Sequence, residues 1–137
     1  MEKNILLVDS DEELLSAHKE ALEADGFNII SATSTKDALD KLNELKPDLI
    51  LTEIMLEYKD AGFSLCYHAK KKYPDVPVII LSDVVRKTGI TFNLGSKEEK
   101  DWIKADEFIH KPVNKNSLVC RIKRLIKNKE TASTLTN

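Results

Sequence analysis

The stretch LILTEIML, residues 49–56, is an apolar run interrupted by one carboxylate, Glu53. Lys46, Pro47 and Asp48 precede it as a turn that launches the run. A strand buried on both faces of a parallel sheet has a continuous apolar run rather than an alternating one, so residues 48–52 predict such a strand. Glu53 then stands at the strand's carboxyl end. A charge placed there calls for a reason, and the flanking sequence supplies it.

Toward the amino terminus, residues 4–8 (NILLV) form a second apolar run, closed by the acidic cluster DSDEE. Asp11 can cap a following helix, with Glu12 and Glu13 favourable in its first turn. Leu14, Leu15, His18, Ala21 and Leu22 give that helix an apolar stripe, and Gly26 ends it. Residues 27–32 predict a second strand. Ser34 or Thr35 caps a second helix, with Ala38, Leu39, Leu42 and Leu45 facing inward. Toward the carboxyl terminus, residues 62–73 predict a third helix carrying Phe63, Cys66 and Ala69 on one face. The breaker YPDVP leads into a fourth strand at 78–81 (VIIL). Residues 107–110 (EFIH) predict a short fifth strand, and Leu118, Val119, Ile122, Leu125 and Ile126 mark a final helix. The closing KETASTLTN is polar and expected to fray, so the domain is expected at 1–128 with a tail at 129–137.

Strands alternating with helices predict a doubly wound, five-stranded parallel sheet in a three-layer α/β/α arrangement. In such sheets, sites lie outside the carboxyl ends of the strands, near the switch in strand order. That rule gathers Asp9 and Ser10 after strand one, Glu53 after strand three, Ser82 after strand four and Lys111 after strand five.

Composition narrows the options. The chain has 137 residues, 42% of them hydrophobic, enough for one packed domain. A formal charge of −2 gives no general reason to expect nucleic acid or a membrane surface. The apolar runs are too short to span a bilayer, and the start MEKNILLVDSDEE lacks a signal peptide's long apolar stretch, so a cytoplasmic location is expected. Cys66 and Cys120 have no metal-like spacing, and both are expected to be inert core thiols. His18 is expected at the core or its boundary. His68 and His110 are assigned no role.

The ordered set resembles the receiver domain of bacterial two-component response regulators, whose fold is flavodoxin-like. The resemblance covers residues 3–127 and rests on "LLVDSDEE" with Asp9, "LILTEIML" with Glu53, "VIILSD" with Ser82, and "FIHKPV" with Lys111 and Pro112. It further implies that Phe108 is the family's switch aromatic. Three departures stand out. Glu53 replaces the phosphate-accepting aspartate, and Ser10 replaces the second acid, a direct Mg²⁺ ligand in the family. The stretch between Ser82 and Lys111 is also longer than usual and carries turn residues, Phe92 and the only tryptophan, Trp102.

Phosphoryl transfer depends on positioning and on metal neutralising developing charge. A misplacement of about 1 Å can cost ~100-fold in rate. The resemblance therefore implies an atypical, stand-alone receiver domain that signals through protein partners, without catalysis, phosphate acceptance or a cofactor. The pocket would comprise Asp9, Ser10, Glu53, Ser82, Lys111 and Pro112, with the charge of Glu53 held by Lys111. Were a metal bound, its ligands would be Asp9, Asp11 and Glu53. Phe92 and Trp102 are either core of the longer stretch or a partner surface. The partner is expected to be a histidine kinase or a downstream signalling protein, and the chain a monomer or weak dimer.

Alternatives remain at this point. The acids and Lys111 could be an ordinary surface ion-pair cluster. The chain could be a phospho-accepting regulator that uses Mg²⁺ and a histidine kinase. A flavin protein on the same fold would want a Ser/Thr/Gly loop after strand one, where this chain has the acidic DSDEE. The basic last helix can be a solvated face or a docking surface.

Overall fold

The computed structural model describes residues 2–54, 56, 61–82, 105–110 and 113–136, without the side chains of Ser82, His110 and 130–136. Among the described residues nine elements follow one another: β1 (Asn4–Val8), α1 (Glu12–Ala24), β2 (Asn28–Ala32), α2 (Thr35–Glu44), β3 (Leu49–Thr52), α3 (Ala61–Lys72), β4 (Val78–Ser82), β5 (Glu107–His110) and α4 (Lys115–Thr136). The strands pair in the order β2-β1-β3-β4-β5, every pair parallel. This is the flavodoxin-like arrangement expected, and its switch point lies between β1 and β3.

Strand residues alternate between two cores. Ile5, Leu7, Leu49, Leu51, Ile79 and Leu81 pack with Leu15 and Leu22 of α1 and with Leu118, Ile122 and Ile126 of α4. Leu6, Val8, Ile50, Val78 and Ile80 face Ala38 and Leu42 of α2 and Leu65, Cys66 and Ala69 of α3. Because both faces are covered, the strands need no polar face, which explains the uninterrupted apolar runs.

Local chemistry sets the helix ends. The Asp11 carboxylate accepts the amides of Glu13 (3.0 Å) and Leu14 (3.2 Å) and so caps α1. At the other end Gly26, at φ 92°, donates to Glu23 O (3.0 Å), and Phe27 donates to Leu22 O (3.3 Å). This is a Schellman closure in which Phe27 packs into the same core as Leu22. Phe27 therefore belongs to the cap, and β2 starts one residue later than expected. Ser34 caps α2 by accepting the Asp37 amide (3.1 Å).

Several expectations need correction: β3 starts one residue late, at Leu49, and α3 runs from Ala61 to Lys72, one residue earlier at each end than expected. Leu14 is 41% exposed rather than part of the buried stripe, because Leu15, His18 and Leu22 already span the face turned to the sheet. Cys66 is buried, but Cys120 is exposed, on the flank of α4 away from Leu118 and Ile122. β4 extends through Ser82, whose backbone pairs with His110. The last helix continues to Thr136, through residues expected to fray.

One network ties α3 to the start of the last two strands. Lys70 Nζ donates to Val76 O (2.8 Å) and pairs with Asp106 Oδ2 (2.7 Å). The same carboxylate oxygen accepts the Val78 amide (2.7 Å), while the Asp106 amide donates to Val78 O (2.8 Å).

Candidate functional site

Val8 and Thr52 are register partners in the β1–β3 ladder, so the residues after them, Asp9 and Glu53, emerge side by side at the switch point. Both amides extend the ladder by one step: Asp9 N–H donates to Ala32 O (3.1 Å) and Glu53 N–H to Val8 O (3.0 Å). The two carboxylates are consequently held on rigid backbone. They are also buried, Asp9 at 5% and Glu53 at 7% exposure.

Burying a carboxylate requires hydrogen bonds to it. Asp9 Oδ1 accepts the Asp11 amide (3.0 Å). Glu53 Oε1 accepts the amide of its own neighbour Ile54 (2.9 Å), so the longer side chain turns back on the backbone that follows it. Thr52, fully buried, donates its hydroxyl to Glu53 O (3.0 Å). Asp9, Thr52 and Glu53 line one small cavity with Leu7, Val8, Leu51, Leu81 and His18. Its volume of about 10 Å³ is on the scale of one water.

Gly62 fixes the far side of this backbone. Its amide donates to Ile54 O (2.7 Å). A Cβ at this position would overlap the carbonyl oxygen of Glu53 and lie 2.6 Å from Ile54 Cα. Only glycine permits α3 to begin so close to the site. Sequence reading placed Gly62 at the start of a helix and missed this role, because the clash is with a segment nine residues away. His18 was likewise read only as a core or boundary residue. Its spacing from Leu15 and Leu22 directs it to the sheet, and the cavity wall is where that direction leads.

The remaining predicted positions divide as follows. Ser10 is exposed at the rim, beside Asp9. Asp11 is engaged as the α1 cap. Phe108 is half-buried and packs on the α2–α3 side of the sheet. The backbones of Ser82 and His110 pair at the ends of β4 and β5, but the Ser82 side chain, Lys111, Pro112, Phe92 and Trp102 lie outside the described residues. Among the described residues, no three His, Cys, Asp or Glu side chains gather to hold a metal ion, and no helix is long and apolar enough to cross a membrane.

A buried acid pair at the β1–β3 switch of a 2-1-3-4-5 sheet defines a flavodoxin-like module whose site opens at the carboxyl edge. A family model, the response regulator receiver domain, matches residues 5–123. The chain belongs to that family. It is 37% identical over 123 residues to the transcriptional regulatory protein CpxR of Escherichia coli K12, an alignment covering 90% of this chain and 49% of CpxR. The chain thus spans about half the length of the curated relatives it matches. Among solved structures, a CheY-like receiver domain protein from Methanospirillum hungatei JF-1 superimposes with a TM-score of 0.81 at 26% identity, covering 96% of this chain and 99% of that one. A receiver domain protein from Clostridium thermocellum gives 0.77 at 27% identity, covering 95% and 98%.

Proposed function

We propose that this receiver domain is atypical: it signals through protein contacts and does not accept phosphate. The observation that carries this reading is the state of Glu53. Its carboxylate is buried and drawn back onto the following backbone, where Oε1 accepts the Ile54 amide, whereas an acceptor must project an oxygen toward an incoming phosphorus atom. An added methylene and an inward turn both work against the in-line geometry that phosphoryl transfer needs.

The donor set does not fit the family's magnesium ion. Magnesium demands near-ideal octahedral oxygen geometry. Here Asp9 has one oxygen committed to the Asp11 amide, Ser10 offers an exposed hydroxyl in place of an acid, and Asp11 is the helix cap. Glu53 supplies about one negative charge where a phosphorylated acceptor would carry nearly two. The pocket is a fixed electrostatic clasp, with Lys111 the cation that holds Glu53 and with Ser82 and Pro112 completing it. Phe108 is the switch-aromatic position, and Phe92 and Trp102 are the candidate partner surface.

The receiver unit is residues 1–128, with 129–137 an appendage, and it works in the cytoplasm. Its partner is a histidine kinase or a downstream signalling protein. Incubation with a small phosphodonor and Mg²⁺, read by intact mass, tests this. No phosphoryl adduct is expected. An adduct of one phosphoryl group that Glu53→Gln abolishes would establish instead a phospho-accepting regulator using Mg²⁺.

A further inference from the structure

At the amino edge of the sheet, opposite the acid pair, a groove of about 490 Å³ runs between the start of β1, the end of α1 and the flank of α4. Phe27 and Ile126, both buried but for a narrow exposed edge, form its apolar floor. Lys3, Lys123 and Lys127 line its wall against a single carboxylate, Asp25. Lys123 and Lys127 are four residues apart on α4 and so present both ammonium groups on one flank. All these charged side chains are exposed or half-exposed, so no buried polar group is available to orient a small ligand as binding pockets require. The groove suits a protein segment that is acidic and carries one large apolar side chain.

The first turn of α1 is such a segment. Glu12 and Glu13 are exposed there, and Leu14, at 41% exposure, is one of two large hydrophobic residues exposed among the described residues. It lies at the carboxyl edge of the sheet, next to Asp9 and Asp11, whereas the groove lies at the opposite edge, so the two cannot meet within one molecule. We infer that the groove receives the first turn of α1 from a second copy of this chain. Leu14 rests on Phe27 and Ile126, and Glu12 and Glu13 face Lys123 and Lys127. Because knob and groove are different surfaces, the contact is head-to-tail and need not close on itself. It would also lay the groove of one copy over the rim of the next copy's acid site. The inference does not depend on whether Glu53 accepts phosphate.

Sedimentation of the full chain from about 10 μM to about 1 mM tests it. At about 0.02 M salt the average mass should rise continuously with concentration, and at about 0.5 M the rise should be suppressed. Leu14→Ser should weaken association about tenfold, as should Lys123→Glu with Lys127→Glu. All three positions are exposed, and circular dichroism confirms that the variants fold. A chain carrying Glu12→Lys and Glu13→Lys should not associate with itself but should associate with the Lys123→Glu, Lys127→Glu chain. A monomer at every concentration in low salt, a closed dimer, or association unmoved by these changes would overturn the inference.

Discussion

The missing Cβ of Gly62 occupies the space of the Glu53 carbonyl oxygen: the start of α3 and the residue after β3 are in backbone contact. Gly62→Ala should destabilise the domain by about 1–3 kcal/mol, toward the upper end because backbone on both sides must move. Urea denaturation measures this, and a loss below about 0.5 kcal/mol, the size of an ordinary surface change, would show that the contact relaxes freely.

Asp106 should matter as a bridge rather than as a surface charge. One of its oxygens serves both the Lys70 ammonium and the Val78 amide. Asp106→Ala should cost about 1.5–3 kcal/mol, the range for hydrogen bonds to a charged group, and Asp106→Asn should cost less because an acceptor remains. Equal losses for the two variants would remove the amide from this account.

The Asp75 carboxyl is held below the usual carboxylate range, chiefly by the hydrogen bond from Lys46 (2.8 Å), with burial acting in the opposite direction. A depressed value in the folded state means the pair contributes above the unfolded pKa of about 3.9 and loses that contribution as pH falls through the lower, folded value. With the two side chains 46% and 48% exposed, screening keeps the contribution under about 1 kcal/mol. Lys46→Met should therefore lower stability slightly near neutral pH, and the deficit should shrink in acid. A deficit that grows below pH ~3 would contradict this assignment.

Asp11→Ala should cost about 1 kcal/mol through loss of the α1 cap, and Asp11→Asn much less. Since the cap needs no metal, adding Mg²⁺ should leave the difference between the variants unchanged in thermal melts. A difference that depends on Mg²⁺ would reassign Asp11 as a ligand.

Restoring the two acids of the family pattern should revive the site. Ser10→Asp with Glu53→Asp is expected to gain Mg²⁺ affinity by calorimetry and some phosphate uptake by intact mass. Each single change should do less than the pair, because neighbours sharing one coordination sphere are not additive. A folded double variant that takes up neither would mean that divergence reaches beyond these two side chains.

The fold was legible because each layer has its own signature. Strands covered on both faces produce NILLV, LILT and VIIL, and the stripe Leu118, Val119, Ile122, Ile126 marks the helix that covers one of them. Local stops were equally readable at Asp11, Gly26 and Ser34. The sequence misled where a pattern allowed more apolar residues than the face could bury, as at Leu14 and Cys120. It was silent where a contact joins distant residues: Gly62 against Glu53, or Lys70 with Asp106. The acid pair was found by position at the strand ends. The inward turn of Glu53 onto Ile54 was not, because spacing does not specify a rotamer.

The Asp106 bridge has a consequence for how the chain can vary. It closes a 28-residue excursion onto Val78, at the point where β4 begins and β5 is about to follow. With both ends of the excursion fixed, doubling its length adds only about 0.6 kcal/mol of closure entropy. A change of length between Ser82 and Asp106 should therefore cost the β4–β5 pairing little, whereas loss of the Asp106 anchor should cost it directly.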